Sequence, residues 1–320
     1  MSEFNGSIIV TGNDVSMAEF GEIIRKKVAK TILTETSFDG FLFDYVKEAV
    51  PFGAEIESIK FDMPDTEDFD PTSTNVFERN IPTAKNSLTI RNVTKRLPIT
   101  INVAQLKSGM RSADDEARLI GAILNACQLG MDLFFHNVHL SLCTLNTALD
   151  PDTNIFGKVR YGYDEGSTVD DRKAMLLSLI KDIKKDIISF KNPNADFNKA
   201  EQLTANKNAK DFLLVLSKDV EVDLIDVLGN MYHKELADWG INKKVVDKWD
   251  TEVTAHAEQL ACLIDTTGLR LHNQLLETTS IQNPRNLDTN YVFHKWDFIG
   301  FDGHANAVCY TMEEEPSSED

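Results

Sequence analysis

Leu88-Thr-Ile-Arg-Asn-Val-Thr-Lys-Arg-Leu-Pro-Ile-Thr-Ile-Asn-Val103 alternates apolar and polar residues on either side of a short polar break. Leu88 and Ile90 lie on one side; Leu97, Ile99, Ile101 and Val103 lie on the other. A period of two describes strands with one half-buried face. The stretch Arg91–Arg96 reads as the turn, so the spacing predicts a long two-stranded hairpin. Pro98 cannot donate to a ladder and confines its strand to an edge. A lone hairpin is marginal in water, so a long one needs a further surface to lie on.

Charge sharpens this reading. Residues 76–107 carry six bases (Arg79, Lys85, Arg91, Lys95, Arg96 and Lys107) against the single acid Glu78. The preceding stretch, 55–74, carries seven acids against Lys60 and has no core-sized apolar pattern. It reads as an extended, solvated arm.

Downstream, residues 113–149 form the strongest helical pattern. An acidic first turn, Ala113-Asp-Asp-Glu, suits the positive end of a helix dipole. Leu119, Ile123, Cys127, Met131, Phe134, Val138, Leu142, Leu145 and Leu149 make one stripe without an intervening proline. About 35 residues at 1.5 Å each make a rod of roughly 50 Å. A shorter helix is expected at 17–34.

Residues 156–163 read as a strand. Thr168, with Asp171 three residues on, caps a helix over 169–190. Phe212-Leu-Leu-Val-Leu216 reads as a buried strand, and two or three helices are expected between 218 and 249. Strands close the chain at 260–264, 269–275, 290–299 and 305–310, and the acidic tail 313–320 reads as disordered.

The whole chain has 320 residues and a net charge of −18. That balance argues against a protein built to grip nucleic-acid phosphates. No apolar run is long enough for a membrane span, and the first residues lack the pattern of a signal peptide. Cys127, Cys143, Cys262 and Cys309 are scattered in apolar surroundings with no Cys-x-x-Cys pair, which reads as buried free thiols.

Catalytic signatures are scarce. No phosphate-cradling glycine loop and no nucleophile elbow can be written. Asp132, His136 and His139 have a spacing that could hold zinc or ferrous iron on one helix face. The plainer reading places them on the polar face opposite the apolar stripe. Cys262, His294 and Asp265 could be drawn as a nucleophilic set, but a thiol inside an apolar run is held neutral. No cofactor and no metal is expected.

Six stretches in order resemble one family. Phe77-Glu-Arg-Asn-Ile-Pro82-Thr-Ala-Lys85 and Ile99-Thr-Ile-Asn-Val-Ala-Gln-Leu106 resemble the start and end of an extended loop. Phe212–Leu228 resembles a strand-then-helix element. Ala261-Cys-Leu-Ile-Asp265, followed by Asp288-Thr-Asn-Tyr-Val-Phe293 and His304-Ala-Asn-Ala-Val308, resembles the closing strands. Together, over about residues 75–312, they resemble the major capsid proteins of tailed bacteriophages of the Hong Kong 97-type fold, and more specifically those of small short-tailed (picovirus-group) phages.

The resemblance implies an α+β chain. It has an N-terminal arm and linker (1–74), an extended hairpin loop (75–103), a peripheral domain with a spine helix (104–150), an axial domain (151–255), closing strands (256–312) and the tail (313–320). It implies a structural protein, not an enzyme, that self-assembles into pentamers and hexamers of an icosahedral head. Scaffold and portal proteins would be partners. Double-stranded DNA would be enclosed without sequence-specific binding, and no membrane would be involved. Assembly would occur in the bacterial host cytoplasm and the product would be the virion capsid. Arg79, Lys85, Arg91, Lys95 and Arg96 are the expected inter-subunit contacts. An encapsulin-like compartment shell shares the fold and stays open as an alternative, as does a cytosolic metal-dependent enzyme using Asp132, His136 and His139.

Overall fold

The computed structural model describes residues 40–63, 66, 81–102, 113–145, 154–163, 168–229, 239–249, 259–285 and 288–312. The expected helix at 17–34, Arg79 and the tail lie outside them. In chain order the strands and helices are β1 (Glu55–Phe61), β2 (Ala84–Ile90), β3 (Val93–Asn102), α1 (Ala113–Leu142), β4 (Lys158–Arg160), α2 (Val169–Lys191), β5 (Phe212–Ser217), α3 (Lys218–Leu228), β6 (Asn242–Val246), β7 (Gln259–Asp265), β8 (Leu269–Gln282), β9 (Asp288–Phe301) and β10 (Ala307–Thr311). They form sheets ordered β1-β2, β4-β10-β7-β5-β6 and β3-β9-β8.

The described residues divide into two compact units. In the larger unit, made of residues 40–95, 133–276 and 295–312, the five-stranded sheet carries the main core. β7 pairs antiparallel with both β10 and β5, while β4 and β6 run parallel to their neighbours. Phe212, Leu214 and Leu216, alternate residues of β5, share a core with Leu176, Leu179, Ile183 and Phe190 of α2 and with Val220 and Leu224 of α3. α2 starts on a capping box: the Asp171 N–H donates to Thr168 Oγ1, and the Thr168 N–H donates to Asp171 Oδ2. Its one buried acid, Asp186, accepts from the Arg160 guanidinium and from the Tyr310 hydroxyl at 2.8 Å, tying α2 to β4 and β10. Burial of this carboxylate is tolerated because both its oxygens are bonded.

The smaller unit comprises residues 96–132 and 277–294. Ile101 is fully buried there against Ile120, Ile123 and Tyr291.

Several expectations give way. Leu88–Ile90 does not turn back onto 97–103: β2 pairs antiparallel with β1, and β3 lies beside β9. Glu55–Phe61 is therefore a strand and not a solvated arm. α1 ends at Leu142, seven residues earlier than its stripe predicts, where the Thr144 hydroxyl takes the Leu140 carbonyl. Its buried line in the larger unit runs through Phe135 and His139 to Cys143, so His139 sits on the packed face and not on a polar one. Asn242–Val246, within the stretch expected to be helical, is an edge strand beside β5. Cys143, Cys262 and Cys309 are buried, Cys127 less so.

Candidate assembly surface

The β1–β2 ribbon has two dissimilar faces. In an antiparallel pair, directly opposed residues point the same way. Glu55↔Ile90, Glu57↔Leu88, Ile59↔Asn86 and Phe61↔Ala84 form one face; Ile56↔Thr89, Ser58↔Ser87 and Lys60↔Lys85 form the other.

The second face is fastened to the larger unit. The Ser58 hydroxyl donates to Asp302 Oδ2 at 2.7 Å, and the Gly303 N–H donates to Ser87 Oγ at 3.0 Å. Lys60 Nζ donates to the Leu203 carbonyl at 2.8 Å, and Lys85 Nζ donates to the Ala200 carbonyl. Gln202 Nε2 reaches Asp62 Oδ1 at 2.6 Å. Burial alone would raise Asp302, but the Ser58 hydroxyl, the His304 N–H and Arg270 outweigh it and hold the carboxyl below its usual range. Burial draws Lys60 below the ordinary lysine value. Thr89 is buried over Gly300, where an added Cβ would lie 2.8 Å from Thr89 Cγ2. Only glycine lets the ribbon sit this close.

The first face carries apolar groups that no described residue covers. Leu88, Ile90, Ile59 and Phe61 are between 53% and 65% exposed, with Glu55, Glu57 and Asn86 among them. Phe52, Met63 and Ile81 extend this exposure beyond the strand ends. An apolar surface held rigid and rimmed by polar groups is the signature of an interaction site.

Arg91-Asn92 hands the chain from the ribbon to the next sheet. Asn92 Nδ2 donates to the Ile299 carbonyl at 2.6 Å, and its Oδ1 accepts from the Ile299 N–H at 3.1 Å. The side-chain amide thus occupies both backbone groups of Ile299, which a turning hairpin would leave elsewhere. Arg91 donates to Gln274 Oε1 at 2.9 Å and lies over the Trp296 ring at 5.2 Å. Gln274 in turn donates to the Gly53 carbonyl at 2.6 Å.

The expected cationic contacts are therefore dispersed. Lys85 is fastened to the Ala200 carbonyl, Arg91 to Gln274 and Trp296, and Lys95 lies 4.7 Å over the Phe134 ring. Arg96 is exposed on β3, and Arg79 lies outside the described residues. The sequence reading missed the outer apolar face, for which Ile59 and Phe61, two residues apart, carry the signal.

The catalytic candidates are otherwise engaged. His136 Nδ1 accepts the Phe41 N–H at 3.0 Å, and His139 Nδ1 donates to the Phe41 carbonyl at 2.8 Å. Among the described residues no three His, Cys, Asp or Glu side chains gather where a metal could be held. Burial, with Cys143 beside it, pushes the Cys262 thiol well up, and Asp265 is bonded to Asn206 and Thr267. His294 lies in the smaller unit. No described helix is long and apolar enough to cross a membrane.

The family model of the Phi29-like phage major capsid protein matches residues 5–311. The chain belongs to that family. The major capsid protein of Bacillus phage PZA is 22% identical over 99% of this chain and 68% of its own length; that of Bacillus phage B103 is 24% identical over 97% and 66%. The chain thus spans about two thirds of these relatives. Among solved structures, the capsid of Staphylococcus phage Andhra aligns with a TM-score of 0.64 at 12% identity, covering 90% of this chain and 88% of that one. The mature capsid of bacteriophage PhiM1 aligns at 0.60 and 10% identity, covering 90% and 91%. As a Phi29-like major capsid protein the chain is structural, not enzymatic. Neither the compartment-shell nor the metal-enzyme alternative gains support.

Proposed function

We propose that copies of this chain bury the outer face of the β1–β2 ribbon against one another while building the pentamers and hexamers of an icosahedral phage head. The observation that carries this is the contrast across one ribbon. Its inner face is bonded to the chain's own loops, and its outer face holds four large apolar side chains at least half exposed. Such a side chain gains ~1.5–3 kcal/mol on full burial, so a half-buried ribbon gains on the order of 4 kcal/mol at each interface, repeated around a closed shell. The association cost is met by that repetition.

Of the cationic residues Arg79, Lys85, Arg91, Lys95 and Arg96, the exposed Lys95 and Arg96 and the loop residue Arg79 face acidic segments of the neighbour in this reading, setting register and partner choice more than affinity, while Lys85 and Arg91 anchor the ribbon within its own chain. Residues 104–150 take the peripheral role with α1 as spine, and residues 151–255 the axial role at the five- and six-fold centres. Scaffold and portal proteins are the expected partners. The net charge of −18 suits a container that repels enclosed double-stranded DNA and so releases it. Assembly takes place in the host cytoplasm and the chain ends in the virion.

The test is the double substitution Leu88→Asp and Ile90→Asp. The expected outcome is a folded subunit with unchanged circular dichroism that forms no shells by sedimentation and negative-stain microscopy. Shells in normal yield would overturn the reading.

A further inference from the structure

Residues 40–50 run over the larger unit as a strap that precedes β1, and histidine rings hold its backbone at three points. The Phe41 N–H donates to His136 Nδ1 at 3.0 Å. The Phe41 carbonyl accepts from His139 Nδ1 at 2.8 Å, and the Glu48 carbonyl accepts from His272 Nδ1 at 2.8 Å. His136 and His139 are three residues apart on α1 and share a face, so one residue has both its backbone groups gripped from one helix. Between these points the Phe43 ring meets His139 edge-on at 5.6 Å. Asp44 pairs with Lys244 at 2.8 Å. Further along, the Lys47 N–H donates to the Leu271 carbonyl at 2.8 Å and the Val50 N–H to the Asn273 carbonyl at 2.9 Å.

The three histidine bonds differ in what a proton does to them. A carbonyl only accepts, so His139 and His272 carry hydrogen on Nδ1 and keep that bond when the second nitrogen is protonated. His136 receives an N–H, so its Nδ1 must be bare. A proton there sets one donor against another and turns the bond into a repulsion.

We propose that residues 40–50 are an acid-releasable strap, in which proton uptake by His136 unlatches Phe41 from α1 and frees the end of the strap. The inference concerns control of this segment and does not rest on the shell reading.

The surroundings fit this assignment. Burial lowers His136 and brings His139 down to about 4, with Lys295 and His136 adding to the latter. Both rings are therefore neutral at neutral pH. Because the folded form holds the proton less well than the unfolded chain, the latch contributes fully above the ordinary histidine value of about 6.5 and is lost as pH falls through the folded value. The charged groups nearby are Asp132, one turn earlier on α1; Asp44, paired with Lys244; Lys295 of β9, 3.9 Å over the Phe135 ring; and Lys95 of β3, over Phe134. Asp297 of β9, raised to about 6 by burial against the pull of Lys295, works in the opposite sense: protonating it removes an unfavourable buried charge. Acid loosening of the strap thus has its source in the histidine. The strap leads into β1, whose entry is held separately through the Gly53 and Ala54 carbonyls by Gln274 and the Arg91 N–H, so the release is confined to the Phe41 end of the strap.

Hydrogen exchange read by mass spectrometry on the full chain tests this, with labelling times scaled for the intrinsic pH dependence of exchange. Between pH 7.5 and pH 5 the 40–50 peptide should lose at least about tenfold protection while α2 peptides do not. In His136→Asn, whose Oδ1 takes the place of Nδ1 and does not titrate, protection should stay level. Equal wild-type protection at both pH values would overturn the proposal, as would the same loss in the variant. Should the variant fail to fold, the wild-type midpoint decides: above pH 4.5 it supports the histidine latch, and at or below 4.5, in the carboxylate range, it overturns it.

Discussion

β5 and the β1–β2 ribbon are both made of extended backbone, yet they are different objects. In β5 the five residues Phe212–Leu216 are all buried, because helices cover one face and the other packs inside the unit. In β1 burial alternates at every residue, and Ile59 and Phe61 lie on the side left exposed while Ile56 turns inward. The core sheet is complete within one chain; the ribbon is half complete. On the proposed reading, stability and assembly are accordingly carried by separate strands.

The strongest way to break that separation is in the core. Phe190, fully buried with its ring edge-on to Phe197 and Phe212 at 5.3 and 5.4 Å, should cost about 3–5 kcal/mol on change to alanine. Chemical denaturation should show this loss before any shell forms. Gly300→Ala should be intermediate. Its methyl meets Thr89, the seam between ribbon and body, at about 1–3 kcal/mol. Thr89→Ala in the same chain should recover most of it, and no recovery would mean that the close approach at this seam is not what holds the ribbon.

Asp297→Asn is smaller and depends on pH. The folded carboxyl is raised to about 6, so its contribution is full below the unfolded value near 3.9 and falls away as pH rises through 6. The asparagine variant should therefore gain about 1–2 kcal/mol at pH 8 relative to wild type and nothing at pH 4, as read from melting curves at the two values. The smallest effect on stability belongs to Arg96→Glu. The exposed side chain should change unfolding by no more than ~0.5 kcal/mol, while lowering particle yield at low salt and less so at high salt. A salt-independent yield would remove Arg96 from the set of subunit contacts.

How much of this could be read in advance depended on whether the deciding contact was local. The capping box at Thr168 and Asp171 is complete within four residues, and α2 begins where the sequence places it. The unbroken apolar run of β5 likewise declared a strand with both faces covered. Pairing was not legible in the same way. Two alternating segments parted by a polar break suit a hairpin equally well whether the chain turns back or passes on, and Asn92 decides it through Ile299, 207 residues away. The acids of 55–62 hid a strand because charge was weighed above period. His139 was assigned to a polar face because a histidine type says nothing of its partner, here the backbone of Phe41, 98 residues earlier. The lysines of Asn242–Val246 masked an edge strand, a place where charge is common because it discourages stray pairing.

The two hydrogen bonds between Asn92 and Ile299 also define a load path. Only two residues separate β2 from β3, so within the larger unit a pull on the ribbon passes through Asn92 to Ile299 of β9 and not into a free turn. A wall made of such pieces would stiffen under internal pressure instead of yielding at its joints.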